Sequence, residues 1–288
     1  MKQRTVTAFC PGHISGYFRR IEGDSIATTG SIGAGIVISE GVTATVAPAE
    51  STSVSVDRKD ETGNLIHQSP KSPPLEYVLG KLGVTASVTT ECRLPIGAGF
   101  GLSAAALLAT LTAVNQSQSL DLSPHDIAAL AHEAEVIHKT GLGDVAACQG
   151  GGRVVRSGPG IDAGITRSFD LPEPLYAVSF GPISTPSVLG SQAQMERVAA
   201  AFPTELPKDA SDFFRISRLF AEKSGLLTKE AGAVIRTCTN NNILASMTML
   251  GNGVFAYGQK ARDILSPHGA VYAFTIAGKG ARIIEVRP

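Results

Sequence analysis

Apolar and polar residues alternate along the first third of the chain. Three segments, residues 5–9, 36–47 and 52–56, carry this alternation and are rich in β-branched side chains, a composition typical of strands. Between them, the Pro-Gly-His-Ile-Ser-Gly run at 11–16 predicts a loop, and the glycine-rich run at 29–35 predicts a turn. The sequence therefore predicts a largely β amino-terminal third.

The spacing of apolar residues becomes helical in the second quarter of the chain. Two prolines followed by leucines and a valine predict a short helix over 73–82. An alternating strand over 84–88 precedes a glycine loop, and an Ala- and Leu-rich helix is expected over 102–114. Ser123-Pro124 is a typical helix start, and that helix is expected to reach His138.

The carboxyl-terminal half mixes the two patterns. The segments expected there are strands at 153–156, 175–180, 271–277 and 282–286, and helices at 187–201, 209–224 and 241–250. A single core rarely grows beyond ~250 residues, so 288 residues fit one large domain or two modest ones. A change in composition near residue 160 favours two domains, 1–160 and 161–288.

Composition and charge exclude several classes of protein. Hydrophobic residues make up 43% of the chain and charged residues 17%, so it can build a packed core and is not disordered. Lys plus Arg and Asp plus Glu balance at 25 each without a basic run, which argues against nucleic-acid binding. Four scattered cysteines, an early Pro11-Gly12 and no apolar run of about 18 residues predict a cytoplasmic protein that does not bind membranes.

The most informative stretch is Pro-Ile-Gly-Ala-Gly-Phe-Gly-Leu-Ser-Ala-Ala, starting at Pro95. Its three glycines can adopt positive φ and bring backbone N–H groups close to phosphate oxygens, while the helix that follows adds partial positive charge. It is neither a Walker A loop, which needs a following lysine, nor a Rossmann loop with its G-x-G-x-x-G spacing. Taken alone, it is either an anion-binding loop or an ordinary glycine-rich turn.

Three motifs in order resemble those of the GHMP kinases, a superfamily named for galactokinase, homoserine kinase, mevalonate kinase and phosphomevalonate kinase. They are Pro11-Gly12-His13, the glycine stretch at 95–106, and Gly141-Leu-Gly-Asp144 followed by Gly150-Gly151. The resemblance implies an α+β fold of two domains: an amino-terminal domain like ribosomal protein S5 domain 2 and a ferredoxin-like carboxyl-terminal domain. It also implies ATP and Mg²⁺ in the cleft between them, and a tendency to form homodimers.

Two positions depart from the pattern of this family, and one motif is hard to place. Leu102 stands where the family usually has the first of two serines, and His13 stands where mevalonate kinases have a lysine. The third glycine motif is degenerate: Leu250-Gly-Asn-Gly and Ala277-Gly-Lys-Gly both remain candidates.

The resemblance assigns Asp144 as the catalytic acid–base residue, although a carboxylate after two glycines also suits a helix N-cap. Ser103 and Glu135 are the expected Mg²⁺ ligands because hard cations prefer oxygen, with Glu133 as the alternative to Glu135. The residues expected to bind ATP phosphates are Pro95, Gly97, Ala98, Gly99, Phe100, Gly101, Leu102, Ser103 and Ala104.

Within the superfamily, the runs around these motifs are similar to the branch that phosphorylates pantoate, a small hydroxy acid, in archaeal coenzyme A biosynthesis. A buried carboxylate substrate favours an arginine, and Arg156 is the best placed. Arg153 would lie on the opposite side of a strand, so only one of the two is expected to face the pocket. The other candidate substrate contacts are His13, Ser15, Ser31, His132 and Thr185. Kinases of shikimate or homoserine, and a phosphometabolite-binding protein without catalysis, are the competing interpretations.

Overall fold

A computed structural model describes residues 4–288 and shows a mixed α/β fold with two sheets. The strands are β1 (Thr5–Ile21), β2 (Gly30–Pro48), β3 (Ser53–Lys59), β4 (Leu65–Ser69), β5 (Ala86–Cys92), β6 (Arg153–Arg156), β7 (Ile165–Ser168), β8 (Leu175–Pro182), β9 (Ala245–Met247), β10 (Gly251–Tyr257), β11 (Tyr272–Phe274) and β12 (Arg282–Arg287). The helices are α1 (Pro73–Leu82), α2 (Leu102–Gln118), α3 (Pro124–His138), α4 (Asp144–Cys148), α5 (Thr185–Leu189), α6 (Gln192–Ala201), α7 (Ala210–Lys223), α8 (Lys229–Asn240) and α9 (Ala261–Leu265).

The first sheet has the strand order β12-β1-β2-β5-β3-β4, and β6 joins it by pairing with both β2 and β7. β3 and β5 run parallel, whereas the other pairs in this sheet are antiparallel. α2 packs against β1 and β2 on one side and α3 on the other. Its alanines and leucines are buried around most of the helix, which explains why this helix has no polar face.

The second sheet is antiparallel, with the order β11-β8-β10-β9. α7 and α8 pack against β9, and α8 also packs against β10. The apolar side of α7 contributes Phe213 and Phe214, whose rings contact the ring of Phe255 on β10. Most buried apolar residues of both sheets form one hydrophobic core, and a small second cluster contains Val37 of β2 and Val154 of β6. The two sheets are therefore packed through a shared interior.

Two glycine-rich runs that predicted a loop and a turn are instead parts of long strands. Residues 11–16 lie within β1, which has irregularities at Pro11/Gly12 and Ser15/Tyr17, and residues 30–35 lie within β2. Glycine inside a strand permits another group to approach the backbone closely. Gly33 and Gly35 have this role, since a Cβ atom there would overlap Tyr17 and His13.

The helix expected at 241–250 was wrong, and the helix at Lys229–Asn240 was missed. Three consecutive asparagines end α8, and Asn242 takes a left-handed φ of 57°. The apolar run that follows forms the short strand β9 and a turn into β10. A three-residue strand is too short to show a period of its own, so its pairing with β10 decides its structure.

The division of the chain near residue 160 stays a prediction. β7 and β12 both lie after that position, yet they pair within the first sheet, where β12 is next to β1. Within residues 4–288, no helix has the length and apolar character needed to cross a membrane.

Candidate functional site

A cleft of about 830 Å³ opens where the glycine loop meets the start of α2. Its walls come from the sheet on one side and from two connecting segments on the other, at 182–185 and 249–250. Its lining includes the carboxylates of Glu135 and Asp144, the hydroxyl of Ser103, and the side chains of Val42 on β2 and Val56 on β3. The volume is that of a site for a medium-sized ligand.

The glycine loop takes a conformation that only glycine accepts readily. Gly97, Gly99 and Gly101 have φ values of 76°, 83° and 62°, in the left-handed region where a Cβ atom causes strain. Gly101 is the N-cap of α2, which begins at Leu102. The loop and the first turn of a 17-residue helix therefore present free N–H groups and a positive dipole end to the cleft, as an anion site requires.

Most of the expected phosphate-binding residues line this cleft. They are Gly97, Gly99, Phe100, Gly101, Leu102, Ser103 and Ala104. Pro95 and Ala98 are not among the described residues that line it. Ala98 is instead buried against the segment that starts at Gly251, where a Cβ atom would overlap the Ala98 carbonyl.

The two candidates for the third glycine motif lie in different places. Leu250 lines the cleft, and Gly251 packs on the glycine loop at Ala98. The alternative run at 277–280 packs on residues 149–152 instead, where Gly152 N–H donates to the Ala277 carbonyl at 2.9 Å. The first candidate is therefore the one in contact with the loop.

Asp144 is the first residue of α4, and Gly143 is the N-cap. Its carboxylate does not cap the helix; Oδ1 accepts a hydrogen bond from His13 Nδ1 at 2.6 Å. Burial would raise the pKa of Asp144, but the hydrogen bond from His13 and the nearby charge of Arg156 outweigh burial and lower the pKa. Burial also lowers the pKa of His13. At neutral pH the pair is therefore a carboxylate and a neutral imidazole, in which Nδ1–H donates.

Glu135 lies next to Asp144 in the cleft wall and is 1% exposed. Burial, followed by the negative charge of Asp144, raises the pKa of Glu135 to about 8, although hydrogen bonds from Ser103 and Thr140 oppose the shift. Glu133, the alternative, points elsewhere: it bonds to Lys81 and Tyr77 near the surface.

The oxygen donors of Ser103 and Glu135 have the chemistry of ligands for a divalent cation. Glu135 and Asp144 are neighbouring carboxyl groups in the cleft wall, and the Ser103 hydroxyl lies beside Glu135. Among the described side chains, no cation offsets the charge of Glu135. Residues 4–288 hold no group of three or more His, Cys, Asp or Glu side chains arranged for a metal. This set suits Mg²⁺, which binds to one or two carboxylates and takes its other ligands from water and phosphates.

The expected substrate contacts fall into two groups. Ser15 and Thr185 line the cleft. His13, Ser31, His132 and Arg156 are buried and, among the described residues, do not line it. His132 Nε2 donates to the Thr29 carbonyl at 2.9 Å and to the Ile26 carbonyl at 3.2 Å, so it holds the segment that leads into β2.

The two arginines of β6 face opposite sides, as strand alternation predicts. Arg153 donates twice to Asp170, at 3.0 and 2.6 Å. Arg156 donates from Nη1 to the Gly143 carbonyl at 2.5 Å and from Nη2 to Ser31 Oγ at 3.3 Å. Its Nε has no partner in the part of the chain that the structure describes. Arg156 is therefore the arginine next to the Asp144 loop, with one N–H still free.

Sequence reasoning missed several polar residues of the cleft, and Thr140 and Lys71 are two of them. Thr140 donates to Glu135 Oε1 at 2.9 Å, and its position at the start of the TGLGD run was an available signal. Lys71 also lines the cleft. It precedes the prolines of α1 in an unpatterned segment, so spacing alone carried no signal for it.

The family model "GHMP kinases N terminal domain" matches residues 74–152, which include the glycine loop, Glu135 and Asp144. A pantoate kinase of Methanospirillum hungatei is 46% identical to this chain, over 99% of the chain and 98% of that protein. A pantoate kinase of Thermococcus kodakarensis is 32% identical, over 93% and 94%.

A solved structure described as a phosphotransferase related to the CoA biosynthesis pathway superposes with a TM-score of 0.82 at 26% identity, covering 97% of this chain and 98% of that chain. The two pantoate kinases and this solved structure each match nearly the whole length of the chain, not only the glycine loop. The two-domain GHMP kinase fold implied by the sequence motifs is thereby confirmed, and the chain belongs to the pantoate kinase family of the GHMP kinase superfamily.

Proposed function

We propose that this enzyme transfers the γ-phosphoryl group of ATP to the terminal hydroxyl of D-pantoate and forms 4-phosphopantoate and ADP. The observation that carries the proposal is that an ionised carboxylate, Asp144, and a phosphate-binding loop, Gly97–Gly101, face the same cleft. Phosphoryl transfer needs mainly alignment of donor and acceptor, neutralised charge and a group that orients the acceptor hydroxyl.

Each part of the site has a task in this reaction. The glycine loop and the start of α2 bind the phosphates of ATP. Asp144 accepts the proton of the pantoate hydroxyl. The hydroxyl oxygen forms the new bond to the γ-phosphorus, while the bond between that phosphorus and the ADP oxygen breaks. Ser103 and Glu135 would hold Mg²⁺, which would neutralise charge on the phosphates.

The substrate end of the site is proposed to lie beside the TGLGD loop. Arg156 carries the only unpartnered buried guanidinium Nε of the strand β6, and Ser31 is its neighbour. With Ser15 and Thr185, which line the cleft, they supply donors for a small acid that carries a carboxylate and two hydroxyls. His132 is not one of these donors, because its ring N–H already donates to the Thr29 and Ile26 carbonyls. We also propose a cytoplasmic location, where the cysteines, all free and buried within the described range, stay reduced.

A substrate panel tests the proposal. ADP formation is measured with MgATP and D-pantoate, shikimate, homoserine, mevalonate or pantothenate, and phosphorus NMR identifies the product. Turnover with D-pantoate that yields a phosphate monoester at the primary alcohol is the expected result. Turnover only with another acceptor would contradict the pantoate assignment, and ATP binding without turnover of any acceptor would contradict catalysis.

A further inference from the structure

His13 is bonded to both parts of the site that must be aligned for phosphoryl transfer. Its backbone N–H donates to the Phe100 carbonyl in the phosphate loop at 2.9 Å. Its side-chain Nδ1 lies 2.6 Å from Asp144 Oδ1. One residue of β1 therefore connects the loop that binds the phosphoryl donor with the carboxylate that faces the acceptor.

Three glycines give His13 the room that this connection needs. A Cβ atom at Gly12 would lie 2.6 Å from the Phe100 carbonyl, and one at Gly101 would lie 2.9 Å from the His13 carbonyl. A Cβ atom at Gly35 would overlap His13 Nε2. The Pro-Gly-His motif, the phosphate loop and the glycines of β2 are thus parts of one close-packed contact.

The imidazole itself is closed off from the cleft. The His13 side chain is 0% exposed, whereas the side chain of Asp144 is 21% exposed and lines the cleft. Among residues 4–288, His13 Nε2 has no hydrogen-bond partner, and it faces Gly35. Because the second ring nitrogen is directed into the sheet, His13 can neither accept a proton from a substrate in the cleft nor bind that substrate.

We infer that His13 is a positioning residue: its neutral Nδ1–H fixes the orientation of Asp144, and its backbone fixes the distance from Asp144 to the phosphate loop. This assignment replaces the substrate contact expected from the sequence, and it rests on the proposed function because it takes Asp144 as the acceptor-side base. A misplacement of ~1 Å in such a site costs roughly 100-fold in rate.

Substitution of His13 by asparagine or by glutamine tests the roles of the two ring nitrogens separately. The side-chain amide nitrogen of asparagine falls near the position of Nδ1, while that of glutamine falls near the position of Nε2. Both are polar and of similar size, so a general loss of packing affects them alike. His13→Asn retains the donor to Asp144 and His13→Gln removes it.

The experiment measures kcat, the KM for ATP, the KM for pantoate and Tm for both variants beside the wild-type enzyme. We expect His13→Gln to lose roughly 100-fold in kcat with both KM values within about threefold of wild type. His13→Asn should stay within about tenfold of the wild-type kcat. Gly35→Ala, which displaces the ring without changing position 13, should resemble His13→Gln.

Three outcomes would overturn the inference. They are an unchanged kcat in His13→Gln, equal losses of kcat in both variants at equal Tm, and a loss confined to the KM for pantoate, which would make His13 a substrate contact. A wild-type enzyme without pantoate-dependent turnover would be a failure of the proposed function instead, and the panel of acceptors detects that case separately.

Discussion

The Met249 carbonyl oxygen lies 2.6 Å from the position that a Cβ atom on Gly99 would occupy. Gly99 also has a φ of 83°, so an alanine there is both strained and in steric conflict with the segment that precedes β10. The shape of the phosphate loop is thus determined by the second sheet as well as by its own glycines.

Gly99→Ala should weaken ATP binding at least tenfold and lower the free energy of unfolding by about 1–3 kcal/mol, the usual cost of a non-glycine residue held in a strained conformation. Calorimetry with a nonhydrolysable ATP analogue and a denaturation curve measure the two effects. Gly80→Ala is the control, since it lies on exposed α1 with nothing near its Cβ position; it should raise stability by about 0.5–1 kcal/mol. Equal ATP affinity in the two variants would contradict the role of the loop.

Asp144→Asn should lower kcat by about 10²–10⁴-fold, the usual contribution of a positioned general base. The amide keeps the size of the carboxylate but cannot accept the hydroxyl proton, so the affinity for ATP should change little. A coupled assay of ADP release measures the rate. Asp162→Asn is the matched control because Asp162 is exposed and pairs with His125; a comparable loss in both variants would refute the special role of Asp144.

Mg²⁺ binding should release protons from Glu135. Its pKa of about 8 in the protein without a cation means that it is largely protonated at neutral pH, and Mg²⁺ binds only the ionised form. Affinity for Mg²⁺ in the presence of ATP should therefore rise with pH until about 8 and then level off. Calorimetry in buffers of different ionisation enthalpy measures the protons released.

The same carboxyl group contributes to the pH dependence of stability. Its pKa is raised on folding from 4.5 to about 8, so the folded state prefers the protonated form, and stability falls as pH rises between these two values. Glu135→Gln should remove both this slope and the proton release. Glu133→Gln, two residues earlier on the surface of α3, should retain both; identical behaviour of the two variants would argue against Glu135 as the ligand.

Substitution of the two arginines of β6 should have different effects, on stability for Arg153 and on activity for Arg156. Arg153→Met removes the double hydrogen bond to Asp170 and should cost about 1.5–3 kcal/mol of stability with kcat/KM nearly unchanged. Arg156→Met should raise the KM for pantoate at least tenfold, because it removes the free Nε and the bonds to Gly143 and Ser31. Steady-state kinetics and thermal denaturation distinguish them, and the reverse pattern would contradict the proposed pocket.

Local signals predicted the phosphate loop, α2 and the opposite orientations of Arg153 and Arg156, because each depends on spacing over only a few residues. The extent of β1 and β2 was not predictable in the same way. Their glycines were interpreted as breaks, whereas they mark places where His13 and Tyr17 approach the opposite strand. The hydrogen bond between His13 and Asp144 joins residues far apart in sequence, so it could be identified only from the folded structure.

The pairing of β12 with β1 joins the first and last strands of this chain. During synthesis, β1 emerges long before its partner exists, and at ~5–20 residues per second the interval is about ten seconds to a minute. Throughout that time the β1 edge is an open template for pairing with other chains. We therefore expect the yield of folded protein to depend on how fast translation finishes and on holdase chaperones that occupy the nascent edge.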